Sequence, residues 1–410
     1  MSLSLYSPLW PVAAFTVAWL TAHVLTRIFG APASTGRYAT IDGLRGFLAF
    51  AVFMHHSVIW FVYLRTGSWE APPSRLFHQF GDSAVALFFM ITAFLFTSKV
   101  INSEKKPIEW TRLYVGRFMR LFPMYAAAVG VMLVLVLQMT GWHRHVEWPA
   151  MVDQLIHWFG FTIGGHPDVN GLGATSTLIA GVTWSLPYEW WFYLSLPVLA
   201  WLVRRKTPAP ALLLGAVTVL LVTEGWGLAP ERLLPFVGGI VSAWLVRDER
   251  FRALAARRVI GLVVIAALCA TWALTQTAYS ALGVSLLFVA FALISAGNDV
   301  FGVLSSATSR TLGEVTYSMY LIHGLLLTVA FVYVFGPHAA AQWSPFHHWV
   351  VILGLTPVLV VLSYCGFRLI EMPGQRLTPI VTRWLTAAWA KLSPSPQQPE
   401  VSESQPTPVA

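Results

Sequence analysis

A chain of 410 residues with 56% hydrophobic and 11% charged side chains is too apolar for a soluble globule, whose charged share is about 25%, and it reads as a polytopic membrane protein. The formal net charge of +8 does not point to nucleic acid, because the basic residues fall in short runs between apolar segments rather than on one surface. Cys269 and Cys365 sit in separate apolar segments without metal-site or redox spacing, and are expected to be small core residues.

In chain order, apolar stretches long enough, or nearly so, to cross a bilayer occur at 9–29, 44–64, 80–98, 121–139, 186–203, 209–223, 233–246, 259–276, 279–296, 317–335 and 349–370. The expected fold is an all-α membrane bundle of about eleven transmembrane helices. The pair 209–223 and 233–246 is short enough to form a tilted hairpin or two partial spans. Lys and Arg mark the connections that stay in the cytoplasm: Arg27, Arg37 and Arg45; then Lys99, Lys105, Lys106, Arg112, Arg117 and Arg120; then Arg204, Arg205 and Lys206; then Arg247, Arg250, Arg252, Arg257 and Arg258. The loops between them are poor in Lys and Arg. This places the N-terminus outside and the C-terminus inside. The first stretch is expected to remain as an uncleaved anchor, since no Lys or Arg precedes it and Arg27 follows it. The tail 393–410, rich in Pro, Ser and Gln, reads as disordered. The divisions are an anchor and linker at 1–39, a membrane domain at 40–376 and a cytoplasmic segment at 377–410.

Ionisable groups inside spans are costly and are functional candidates by default. In IDGLRGFLAFAVFMHHSVIW, Arg45 and His56 are eleven residues apart, about 20° past three helical turns and about 16 Å along the axis. They share one face, with Arg45 toward the cytoplasm and His56 in the outer half. His55 points about 100° away and is expected to pack or support. In TWSLPYEWWFYLSLP, where the chain re-enters from outside, Glu189 is placed to meet His56 and orient its imidazole. Arg117 and Arg120, at i and i+3 of a cytoplasmic helix start, are placed to grip phosphates or lipid head groups. Tyr317, Tyr320 and His323 line one face of another cytoplasmic entrance, and Glu371 is expected to pair with Arg368 three residues earlier. No metal site is expected: His143, His145, His347 and His348 lack spaced carboxylates or cysteines around them.

Together these groups resemble the acyltransferase-3 family of integral membrane acyltransferases, which includes O-acetyltransferases of bacterial surface polysaccharides. The resemblance runs from about Thr40 to Pro373, carried by Arg45 and His56 in DGLRGFLAFAVFMHH, by GDSAVALFFMITAFLF from Gly81, and by RFMRLFP, TWSLPYEWWFYL, YSMYLIH and EMP in that order. Where the family commonly has Ser-Gly-Phe, this chain has Thr92-Ala93-Phe94, so no role for that serine or glycine carries over. The first helix is additional to a ten-helix core, and the extracytoplasmic esterase-like domain of some members is expected to be absent. The resemblance implies a multi-pass protein of a bacterial cytoplasmic membrane, in contact with lipid. It implies that a cytosolic acyl-CoA, most often acetyl-CoA, is the donor substrate, that an extracytoplasmic glycan is the acceptor, and that no cofactor is permanently bound. His56 would be the general base, with Glu189 orienting it; Arg45 would hold donor phosphate or polarise the thioester, while Arg117, Arg120, Tyr317 and His323 border the donor entrance. A transient acyl-His56 is an alternative. A transporter or flippase would also bury charges, but should show internal repeats; a small-molecule or lipid acceptor is a further alternative.

Overall fold

The computed structural model describes residues 4–32, 38–104, 107–203, 206–223 and 228–392, and every regular element among them is helical. Arg37, Lys105, Lys106, Arg204 and Arg205, used above for orientation, lie outside the described residues, as does the tail 393–410. In chain order the α-helices are α1 (Leu9–Phe29), α2 (Ala39–Thr66), α3 (Arg75–Asn102), α4 (Trp110–Met139), α5 (Trp148–Phe159), α6 (Leu186–Leu202), α7 (Ala209–Thr223) and α8 (Leu234–Leu245). They continue as α9 (Glu249–Ala255), α10 (Ile260–Leu274), α11 (Ala281–Ser295), α12 (Ala307–Glu314), α13 (Thr316–Thr328), α14 (Pro337–Ala341), α15 (Pro345–Gly366), α16 (Met372–Arg376) and α17 (Thr378–Leu392). π-helical turns extend α13 over Val329–Val334 and join α15 to α16 over Phe367–Glu371.

Among the described residues, six stretches are long and apolar enough to cross a membrane: Leu9–Phe29, Ala39–Thr66, Arg75–Asn102, Trp110–Met139, Thr316–Val334 and Pro345–Lys391. A seventh forms only if α9 and α10, bent by 80°, are one broken span. Helices α6, α7, α8, α10 and α11 have 17, 15, 12, 15 and 15 residues, short of the ~20 of a full crossing. The multi-pass helical bundle is as expected, and helices stand at all eleven predicted positions, but not eleven of spanning length. Prolines in the first turns of α6 and α8 set where those helices begin.

Small residues let the helices that carry the candidate site approach closely. A Cβ added to Gly313 of α12 would lie 1.8 Å from the carbonyl oxygen of Asp42 in α2, and one added to Gly46 would lie 2.5 Å from Leu312 Cβ. On the other side, Gly239 of α8 leaves 2.2 Å between such a Cβ and the carbonyl oxygen of Met90 in α3. The predicted anchor α1 is packed into the bundle through Ala14, Ala18 and Ala22, which are buried at helical spacing. Near its start Trp10 stacks on Trp349 with centroids 5.8 Å apart. Cys269 and Cys365 are exposed rather than core residues; Cys269, for one, falls off the buried stripe of Val264, Ala267 and Thr271.

The α2–α12 contact supplies a stability test. Gly313→Ala should destabilise by roughly 1–3 kcal/mol through overpacking. Gly354→Ala, where nothing lies within 4 Å of the added carbon, should change stability by no more than ~0.5 kcal/mol. Thermal unfolding of the two solubilised variants makes the comparison.

Candidate active site

Four helices bring charged or phenolic side chains to one pocket of about 100 Å³, and α3 adds Thr92. Its walls include Arg45 from α2, Arg117 and Arg120 from α4, Glu189 and Tyr193 from α6, and Tyr317 and Tyr320 from α13. The Tyr193 hydroxyl donates to Glu189 Oε2 at 2.6 Å. Arg117, Arg45 and Arg120 surround the same carboxylate with positive charge. The Arg117 guanidinium lies 4.9 Å from the centre of the Phe96 ring, an aromatic face that a cation favours. A wider cavity of about 760 Å³ shares Leu95, Phe96, Arg117 and Arg120 with this pocket and continues past Lys99, Asn102 and Arg112. The two spaces therefore meet at the paired arginines, at the end of the bundle where α2 begins and α3 ends.

Eleven residues along α2 from Arg45, His56 is 9% exposed and His323 is fully buried. His56 Nδ1 lies 3.1 Å from His323 Nε2 and 3.0 Å from the Val52 carbonyl oxygen, and His323 Nδ1 lies 3.1 Å from the Met319 carbonyl oxygen. A carbonyl only accepts, so the network assigns the Nδ1 proton of His323 to Met319. That leaves a lone pair on His323 Nε2 for the Nδ1–H of His56, and a lone pair on His56 Nε2. Trp69, in the loop after α2, faces the His56 ring at 6.3 Å with a 20° interplanar angle. Between the histidines and the arginine pocket stands Tyr320, whose hydroxyl donates to the Val182 carbonyl at 2.9 Å and lies 2.9 Å from Ser185 Oγ.

The structure brings together most of the predicted residues, but not in the predicted pairs. Glu189 does not meet His56: it bonds to Tyr193 and faces the arginines, while His56 takes His323 as partner. Nor does His323 border an entrance, because α12 precedes α13 and lifts the segment from Tyr317 onward into the bundle. Tyr317 ties α13 to α4 by donating to the Leu121 carbonyl at 3.1 Å. Glu371 is 1% exposed and accepts from Ser318, with Arg120 and Arg45 as its nearby positive charges. Arg368, its expected partner, instead lies over the Tyr364 ring at 5.7 Å; the π turn carries the carboxylate inward and the guanidinium outward. His55 packs as expected, with Nδ1 2.8 Å from the Phe77 carbonyl oxygen. Tyr193, at i+4 from Glu189, is legible from helical spacing. Ser318 and Trp69 carry no such signal.

The acyltransferase domain family model matches residues 38–365, so the chain belongs to that acyltransferase family. It is 26% identical over 391 residues to "Acyltransferase MdmB" of Streptomyces mycarofaciens, covering 84% of this chain and 94% of that protein. It is also 26% identical over 387 residues to "Nodulation protein 10" of Rhizobium leguminosarum bv. viciae, covering 87% of this chain and 98% of that one. No solved structure matches the chain.

Removing one member of a buried charge network strands the others. Glu371→Ala should therefore destabilise the bundle by roughly 3–5 kcal/mol, whereas Arg368→Ala should cost no more than ~0.5 kcal/mol. Equal losses in thermal unfolding would restore the Arg368–Glu371 pair.

Proposed function

We propose that this acyltransferase moves an acyl group, in the simplest case acetyl, from a cytosolic acyl-CoA to a hydroxyl of an extracytoplasmic glycan. The observation that carries the reading is the alignment of three features along one helix. The wide basic cavity, the arginine pocket and the His56–His323 pair follow one another from the α2 N-terminal end inward. The Lys- and Arg-rich connections argue that this end faces the cytoplasm.

In this reading the donor's phosphates lie against Arg112, Arg117 and Arg120, whose guanidinium forks match phosphate oxygens. Its thioester end passes Arg45, which holds a phosphate or steadies the developing oxyanion, since fixed positive charge at that oxygen favours the transition state. Glu189 limits the mutual repulsion of the three arginines rather than acting on His56. His323 holds the Nδ1–H of His56, so that Nε2 is the base. His56 Nε2 takes the proton of the acceptor hydroxyl, the oxygen forms a bond to the thioester carbon, and the carbon–sulfur bond breaks. The imidazolium then returns its proton to the departing thiolate, so that the products are an ester and free CoA–SH with no proton left over.

With the protein reconstituted in lipid nanodiscs, His56→Ala should lower acyl transfer by ~10²–10⁴-fold while labelled acetyl-CoA still binds. Transfer unchanged in a correctly inserted His56→Ala variant would refute the assignment. The double change Arg117→Gln and Arg120→Gln should weaken acetyl-CoA binding by about tenfold or more, the loss of ~1.4 kcal/mol or more. It should also flatten the salt dependence of binding.

A further inference from the structure

A second polar cluster lies at the opposite end of α3 from Lys99, and none of the chemistry above uses it. Asp82 Oδ2 accepts from Thr277 Oγ1 at 2.6 Å and lies 3.1 Å from His78 Nε2. The side chains of His78 and Asp82 are 28% and 24% exposed, so the pair is only partly covered by the protein. Beside it Tyr279 is 6% exposed, and its hydroxyl has no hydrogen-bond partner among the described residues. The Arg232 guanidinium lies 4.4 Å over the Trp184 ring and 5.9 Å over the Tyr279 ring. The Tyr279 hydroxyl is in electrostatic range of Asp82, Arg232 and Tyr320, and Tyr320 is also a wall of the arginine pocket. His55 links the cluster to the reactive pair: its ring centre is 6.3 Å from that of His78 and 4.9 Å from that of His56.

A buried hydroxyl without a partner is costly and calls for an explanation. A carboxylate, a hydroxyl and a guanidinium beside an indole face form a set suited to a ring that carries several hydroxyls on an apolar carbon frame. Carboxylate, phenol hydroxyl and guanidinium would hold the hydroxyls, with the guanidinium steadied on the indole face beneath it. We infer that Asp82, His78, Tyr279, Arg232 and Trp184 form the subsite that recognises the sugar ring of the acceptor and turns one of its hydroxyls toward His56. This rests on the glycan-acceptor reading given above, and it makes these groups positioning and recognition residues.

The test uses the full chain in nanodiscs, with ¹⁴C-acetyl-CoA as donor. As acceptor it uses surface polysaccharide from cells lacking the protein, stripped of esters by mild alkali. Tyr279→Phe removes an oxygen that has no hydrogen bond to lose, and Asp82→Asn preserves shape, so folding survives both; thermal unfolding checks it. Each should raise the KM for the polysaccharide at least tenfold while acetyl-CoA binding stays within twofold. If the native protein labels the polysaccharide and both variants do so with unchanged KM, the subsite is wrong and the acceptor reading stands. Loss of acetyl-CoA binding in the variants would likewise overturn the subsite by assigning these groups to the donor. Failure of the native protein to label the polysaccharide would overturn the acceptor reading and the subsite together.

Discussion

Three guanidinium groups, from Arg45, Arg117 and Arg120, share the interior of the bundle with two carboxylates, from Glu189 and Glu371. Charged groups withdrawn from water are tolerated only when others of opposite sign and hydrogen-bonding partners stand close by. That requirement fixes four helices relative to one another, because α2, α4 and α6 each supply part of the balance and α13 supplies Ser318 to Glu371. The close backbone approaches follow from the same demand. Gly366 leaves 2.9 Å between a notional Cβ and Ser318 Oγ, and Gly374 leaves 2.7 Å to the ring of Pro123, inside α4. A larger residue at either place would push Glu371 away from the arginines.

Asp42, three residues before Arg45 on α2, adds a third carboxylate to Glu189 and Glu371 around the three guanidinium groups. The wide cavity that shares Arg117 and Arg120 opens onto this set. Beyond Tyr320 the character changes. The ring carrying the Tyr320 hydroxyl borders the arginines on one side, and its centre is 6.1 Å from that of His323 on the other. The same residue separates a charged compartment from an imidazole pair, and stays anchored to the backbone at Val182.

The sequence makes legible what depends on one helix at a time. The shared face of Arg45 and His56 is a matter of periodicity, as are Arg117 with Arg120 and Tyr317 with Tyr320 and His323, and the structure keeps each of these sets on one element. Pairing between helices is another matter. Glu189 and His56 lie at compatible depths on the predicted topology, yet their partners are set by the rotation of α6 and α13 about their own axes, which periodicity leaves open. The misplacement of His323 has a narrower origin. The segment 307–314 is polar enough to read as a connection, but it folds as α12 against Asp42 and Gly46 of α2. The predicted entrance residues therefore begin a helix that is already inside the bundle. Glu371 fails for a local reason: the i, i+3 relation to Arg368 presumes an α-helix, and the five-residue π segment Phe367–Glu371 alters it.

The histidine pair follows from the placement of the charges. A carboxylate beside His56, as Glu189 would have been, brings a negative charge to a buried position that has no arginine to offset it, and the desolvation cost falls on the resting protein. Two neutral imidazoles carry no such cost. The second ring still fixes the tautomer of the first through a directional bond, since His323 is itself oriented by the Met319 carbonyl. The charged groups remain about three turns of α2 away, so the neutral pair and the charge cluster are each satisfied by their own partners.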